Sequence, residues 1–156
     1  MEKDSLLRNL KEKTFCRIGA SKYGIGVFAI KDIPMGAELF ELCNNDYEEG
    51  VVNLTEEELS GLDKNVQKFV KDFTVKNFGY YSFPARGLNS LSIHFFLNHS
   101  SEPNVTHRAN LKNGKLGFLI PIAKRNIKIG EELFEDYRTL GYRKDVEEQF
   151  PFLKRM

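Results

Sequence analysis

Apolar residues follow a helical period in one long segment of the chain and fall into short runs everywhere else. Between residues 55 and 73, Leu59, Leu62, Val66, Phe69, Val70 and Phe73 recur at helical spacing, and Thr55 with Glu58 forms a capping-box pattern ahead of them. The spacing predicts a helix over 55–73, weakened slightly by Gly61. The short runs at 15–18, 27–30, 38–43, 80–83, 105–109, 115–123 and 132–137 read as strands. The turn Pro34-Met35-Gly36 predicts a hairpin between the runs 27–30 and 38–43, and Asn113-Gly114 predicts another. Residues 128–131 resemble 34–38, since both place glycine at a turn just before an apolar strand. Residues 4–13 and 144–150 read as short helices, and 90–97 as a helical turn or two. The pattern is that of a β-rich α+β domain with no repeating βαβ unit. No linker, repeat or low-complexity stretch interrupts it, so one domain is expected over 1–156.

Composition narrows the classes. The chain has 156 residues, 41% of them apolar, with thirteen Phe and no Trp, which predicts one Phe-rich core. A formal net charge of +1 does not suggest direct binding of nucleic acid. The charge is unevenly placed, however: residues 41–63 hold eight acidic residues and no basic one, and 107–130 hold six Lys or Arg and no acidic one. These are two solvated faces, or else the first is an acidic lip that attracts a lysine-bearing substrate. The two cysteines, Cys16 and Cys43, cannot make a zinc cluster or a disulfide scaffold and read as reduced. No signal-peptide pattern and no bilayer-length apolar run is present, so an intracellular protein, nuclear or cytoplasmic and without a membrane partner, is expected.

Three segments carry candidate chemistry. Gly24-Ile25-Gly26-Val27-Phe28-Ala29 matches the letters of a dinucleotide fingerprint, but that fingerprint needs a helix starting at its glycines. Here the glycines lead into a strand pattern. Asn98-His99-Ser100 lacks the partners of a hydrolase site, and His94 and His107 do not complete a metal site with His99. Taken alone it is a polar turn. Glu131-Glu132-Leu133-Phe134-Glu135-Asp136-Tyr137 is a strand ending in an acid and a phenol.

Together, in this order, the three segments resemble the SET domain. Residues 21–41 (SKYGIGVFAIKDIPMGAELFE) resemble the family's opening, in which G-x-G is followed by V-F-A, D-I and G-x-x-L-x-E. Residues 94–105 (HFFLNHSSEPNV) resemble its R-F-x-N-H-S-C-x-P-N stretch, and residues 123–137 (AKRNIKIGEELFEDY) its closing I-x-x-G-E-E-L-T-x-D-Y. The resemblance covers about residues 17–137. It implies several short sheets, a pseudoknot in which the N-H-S segment threads beneath the last strand, a helical insert over about 50–85, and a closing segment 138–156.

The resemblance also implies a function: transfer of a methyl group from S-adenosylmethionine to a protein lysine, without a metal, leaving S-adenosylhomocysteine. By position, Gly24, Ile25 and Gly26 with Asn98 and His99 would hold the methyl donor, and Tyr137 would be the catalytic tyrosine. Tyr80 and Tyr81 fall where the family often carries aromatics of the lysine channel, and packing of both on the core is the equal alternative. Phe150 and Phe152, on the closing segment, are expected to cover the adenine or the channel. The lysine must arrive neutral although its ordinary pKa is about 10.4, and an apolar channel favours that form by desolvation. Histone tails and ribosomal or other cytosolic proteins are equally compatible substrates.

This chain departs from the family pattern at four places. Ser101 replaces a frequent Cys. His94 stands where Arg is common. Glu135, two residues before Tyr137, occupies a channel position usually held by Phe or Tyr. The flanking zinc-binding cysteine clusters are absent, as in small stand-alone SET proteins. Two other readings compete: a catalytically silent SET module that binds protein partners, opposed by the intact Asn98, His99 and Tyr137, and an NAD(P)-binding enzyme, opposed by the missing helix after Gly26.

Overall fold

The computed structural model describes residues 3–40, 51–84, 87, 91–109, 111–112, 115–116 and 119–155. Cys43, the second half of the predicted strand 38–43, part of the acidic stretch and the Asn113-Gly114 turn lie outside them. The chain forms two compact units, Met1–Glu48 with Ser92–Glu135, and Glu49–Leu91 with Asp136–Met156. No helix among the described residues is long and apolar enough to cross a membrane.

The first unit opens with helix α1 (Lys3–Glu12), followed by strands β1 (Cys16–Ser21) and β2 (Gly24–Ala29). These pair antiparallel from Cys16↔Ala29 to Ser21↔Gly24. Strand β6 (Asn98–His99) and the last strand, β11 (Glu132–Glu135), complete a sheet of order β1-β2-β11-β6. Strand β11 runs antiparallel to β2 and parallel to β6. A second sheet pairs β7 (Val105–Arg108) with β10 (Ile120–Ala123). Beyond it β8 (Leu111–Lys112) pairs with β9 (Lys115–Leu116), so the predicted strand 115–123 is two short strands.

The expected hairpin between 27–30 and 38–43 does not form. β2 already has a partner on each edge, β1 and β11. The segment after the Pro34 turn runs along β10 instead: Leu39 N donates to Pro121 O at 3.1 Å, and Glu38 bridges Ile122. The two similar turns seen in the sequence lie together and cap each other. Asn126 Oδ1 accepts from Met35 N at 2.8 Å, and Asp32 Oδ1 accepts from Ile129 N at 3.0 Å. Between them Ile33 and Ile127 exchange backbone hydrogen bonds of 2.8 and 2.9 Å. One sequence device used twice thus satisfies four turn N–H groups within the fold.

Among the described residues the first unit's core is aliphatic rather than Phe-rich. Val27, Ile33, Leu39, Val105, Ile127 and Leu133 are buried, and Phe40 is the one buried Phe. Short strands with small inner volumes are filled by branched aliphatics, each burial contributing about 1.5–3 kcal/mol. Rings such as Phe15 and Phe96 lie at the rim of this core.

The second unit carries β3 (Val51–Thr55), α2 (Glu56–Ser60), α3 (Lys64–Phe73), β4 (Lys76–Asn77) and β5 (Tyr80–Pro84), the strands in order β3-β5-β4. The predicted helix 55–73 is therefore two helices. The capping box forms as expected: Thr55 Oγ1 accepts from Glu58 N at 3.1 Å, and Glu58 Oε2 accepts from Thr55 N at 2.8 Å. Leu62 N closes on Leu59 O at 3.0 Å, and Asp63 restarts the helix by accepting from Asn65 N at 2.8 Å. A glycine followed two residues later by a good N-cap separates helices that share one apolar stripe. Leu59 and Val70 bury that stripe against Tyr81. Helix α4 (Arg143–Gln149) and a 3₁₀ turn (Pro151–Arg155) close the unit.

Candidate active site

The glycines that begin β2 are there for different reasons. Gly24 has φ +107°, a conformation that costs any other L-residue, and a side chain added there would enter open space. At Gly26 an added Cβ would lie 2.4 Å from Glu132 Oε1 and 3.0 Å from Ser21 Cβ, so the obstacle is contact. Ile25 between them is 50% exposed. Because these glycines lie inside a strand, the geometry of a dinucleotide-binding helix is absent from the segment.

The carbonyl of Ile25 accepts a hydrogen bond from Asn98 Nδ2 at 2.9 Å, and Glu132 Oε1 accepts from the same nitrogen at 2.9 Å. One side-chain amide therefore joins the first, second and third segments singled out in the sequence. β6 is only two residues long, pairing Asn98 with Phe134 and His99 with Glu135. Further bonds hold it. Ser100 N donates to Glu135 O at 2.9 Å. Asn104, 3% exposed, donates from Nδ2 to Glu132 O at 2.9 Å and accepts at Oδ1 from Phe134 N at 2.8 Å. Sequence reasoning missed Asn104 and Glu132 as site-building residues. The available signals were the Pro-Asn that follows Asn-His-Ser and the paired glutamates before β11. Either residue reads as an ordinary turn or surface group until its partner is known.

Alternation along β11 puts Leu133 and Glu135 on the buried face. Glu135, 8% exposed, reaches His107 of β7, Oε2 to Nε2 at 3.1 Å. Burial raises its carboxyl above the ordinary carboxylate range, and the hydrogen bond from His107 opposes that rise. His94, on the 3₁₀ turn Ile93–Phe96, touches the Ser92 hydroxyl through Nδ1. Burial, aided by the charge of His107, pushes its pKa down to about 3, so this imidazole is neutral at physiological pH. His94 therefore supplies no charge where the family commonly has a guanidinium.

In the second unit, Tyr137 begins a 3₁₀ turn (Tyr137–Thr139) capped by Asp136. Asp136 Oδ1 accepts from Arg138 N at 3.0 Å, and the Arg138 guanidinium grips the same carboxylate at 2.8 and 2.7 Å. The Tyr137 ring lies 5.1 Å from that of Phe150, which lies 6.1 Å from Phe152. The closing segment thus meets the candidate catalytic tyrosine through Phe150, while Phe152 is 49% exposed. Gln149 anchors the segment by donating to Lys71 O and Thr74 O at 2.8 and 2.6 Å and accepting from Lys76 N at 2.7 Å.

Tyr80 and Tyr81 point to opposite sides of β5. Tyr80 is 47% exposed, and Tyr81 is buried with its hydroxyl donating to Glu56 Oε2 at 3.0 Å. Burial and the Glu56 carboxylate raise the Tyr81 phenol, so it stays protonated. Tyr81 and Phe150 line one cleft of about 430 Å³, together with Glu56, Lys71, Lys76 and Gln149.

Comparison with known proteins gives the family. The model of the SET domain family matches residues 24–138, which spans all three segments. Among solved structures, the crystal structure of a Plasmodium falciparum protein named a putative histone methyltransferase is similar, with a TM-score of 0.51 and 22% sequence identity over 80% of this chain and 93% of that one. That likeness is one of fold. No curated protein matches the chain in sequence.

Proposed function

Because the chain belongs to the SET-domain family, we propose that it transfers a methyl group from S-adenosylmethionine to a lysine side chain of a protein substrate. The observation that carries this reading is the hydrogen bond from Asn98 to the Ile25 carbonyl. It unites the glycine strand with the Asn-His segment, the two pieces assigned to the methyl donor.

The residues present suit that donor. The peptide edge at Gly24 opens to free space where a side chain would otherwise stand. Both hydrogens of the Asn98 amide are committed to Ile25 and Glu132, so its carbonyl oxygen is the atom turned to a donor's ammonium. Backbone N–H and C=O groups of Gly24–Gly26 complete a surface rich in donors and acceptors.

The bound donor supplies a methyl already activated by its sulfonium, so the protein's task is positioning. Tyr137 orients the incoming amine through its hydroxyl and places negative potential near the reacting carbon. The exposed aromatic surface of Tyr80 and Phe152, with Phe150 against Tyr137, suits a lysine's approach, where desolvation favours the neutral amine. The proton leaves to solvent before the amine attacks. Acidic residues among 56–63 favour the arrival of a cationic segment, histone tail or other lysine-rich protein alike.

The test is transfer of label from S-adenosylmethionine to histones and, in parallel, to a cell lysate, with Tyr137→Phe beside the wild type. Label on lysine that disappears in the variant supports the reading. Absence of both label and donor binding in the wild type overturns it in favour of a non-catalytic module.

A further inference from the structure

We infer that Glu135 and His107 are a positioning pair whose shared proton fixes the two-residue ladder between β6 and β11, and with it the placement of Asn98. The pair links two sheets: β11 belongs to the sheet that carries Asn98, and β7 to the other. Both side chains are 10% exposed and stand 3.1 Å apart. A ladder of two residues has little stability of its own. Here it depends on Ser100 N reaching Glu135 O and on Asn104 reaching the backbone of Glu132 and Phe134. The backbone oxygen that Ser100 needs belongs to the residue whose side chain His107 holds. A shift of the Glu135 side chain is therefore a shift of the ladder.

An apolar residue beside Leu133 would fill this buried position without any partner. A carboxylate there requires compensation, because a buried charge that loses its partner is strongly unfavourable. The titratable groups facing it are His107 from β7, His99 at the paired position on β6, and His94, which is electrostatically coupled to His107. His94 stays neutral, so the hydrogen bond from His107 is what compensates the Glu135 carboxyl. Glu135 ionises less readily than an ordinary carboxyl because it is buried. The fold is thus at its best while the Glu135 carboxyl keeps its proton. It loosens as rising pH ionises that carboxyl and leaves a buried carboxylate behind.

The consequence for methyl-donor affinity rests on the reading of Asn98 given above, whereas the consequence for the ladder does not. The experiment uses the full chain as wild type, Glu135→Gln, His107→Gln and the double amide variant. Amide hydrogen-exchange protection is measured from pH 5 to 9, beside equilibrium binding of labelled S-adenosylmethionine. In the wild type, protection at Ser100 and Phe134 should fall at least fivefold as pH rises, with β1–β2 unchanged, and the donor's Kd should rise in step. Glu135→Gln should abolish the pH dependence. His107→Gln should lower protection about tenfold at neutral pH, and the double amide variant should recover most of it. Equal protection and an equal pH profile in wild type and Glu135→Gln would overturn the inference. A wild type that shows the pH-dependent protection but binds no donor would overturn the functional reading alone.

Discussion

The side chain of Asn98 reaches across 73 positions of sequence to the backbone carbonyl of Ile25, at 2.9 Å. The same nitrogen also meets Glu132 at 2.9 Å. Removing the amide takes one hydrogen bond from each acceptor, at about 0.5–1.5 kcal/mol per bond. Asn98→Ala should weaken donor binding at least tenfold and lower the melting temperature. Asn98→Asp should be worse, since it brings a second carboxylate against Glu132 and a carbonyl. Calorimetric titration with S-adenosylmethionine and a thermal melt measure both, and an aspartate variant that binds like wild type would dismiss this account.

The two glycines separate a conformational effect from a steric one. Gly24→Ala should cost about 1 kcal/mol of stability from its positive φ and leave Glu132 in place. Gly26→Ala drives a methyl into Glu132, which must then release Asn98. It should therefore lose more donor affinity than Gly24→Ala. Melts and binding on both variants give the order.

Tyr137→Phe keeps the ring that packs on Phe150 and removes only the hydroxyl. The variant should fold and bind donor as wild type does, while turnover falls on the order of 10²-fold or more, as for other lost electrostatic contacts in active sites. Phe150→Ala should lower turnover with the hydroxyl intact. Single-turnover assays with donor binding measured separately distinguish the two.

His94 makes the fold acid-sensitive. Burial pushes its pKa down to about 3, far below the ordinary value of 6.5. The unfolded chain therefore binds this proton more readily than the fold does. Stability is complete above about pH 6.5 and is lost as pH falls from there toward 3. His94→Leu should show a smaller drop in melting temperature between pH 7 and pH 5 (about the range where unfolded His charges). Glu135 acts in the opposite sense, favouring the fold at low pH, so the two variants should change opposite limbs of the stability profile.

In the second unit the capping box of α2 is a clean test of local stability. Thr55→Ala removes the acceptor of Glu58 N and should cost about 1 kcal/mol. Denaturant unfolding measures the loss, and donor binding should be unaffected.

Sequence by itself determined the parts whose physics is local. The capping box at Thr55 and the glycine turns after Asp32 and Asn126 each depend on a few neighbouring residues. The order of the three segments was enough to name the SET resemblance, and the family model spans the same stretch. Tertiary structure alone decided what those segments do to one another. Whether residues 38–40 pair with β2 or β10 depends on which edges are already taken, and strand patterns do not record that. The period over 55–73 continues through a break because the apolar stripe outlasts the helix that carries it. Asn98 meets Ile25 only because parallel β6 and antiparallel β2 flank the same strand, and Glu135 meets His107 only because β7, from the other sheet, packs against β11. Hydrogen bonds between residues this far apart leave no periodicity in the chain, since their geometry exists only once the sheet is assembled.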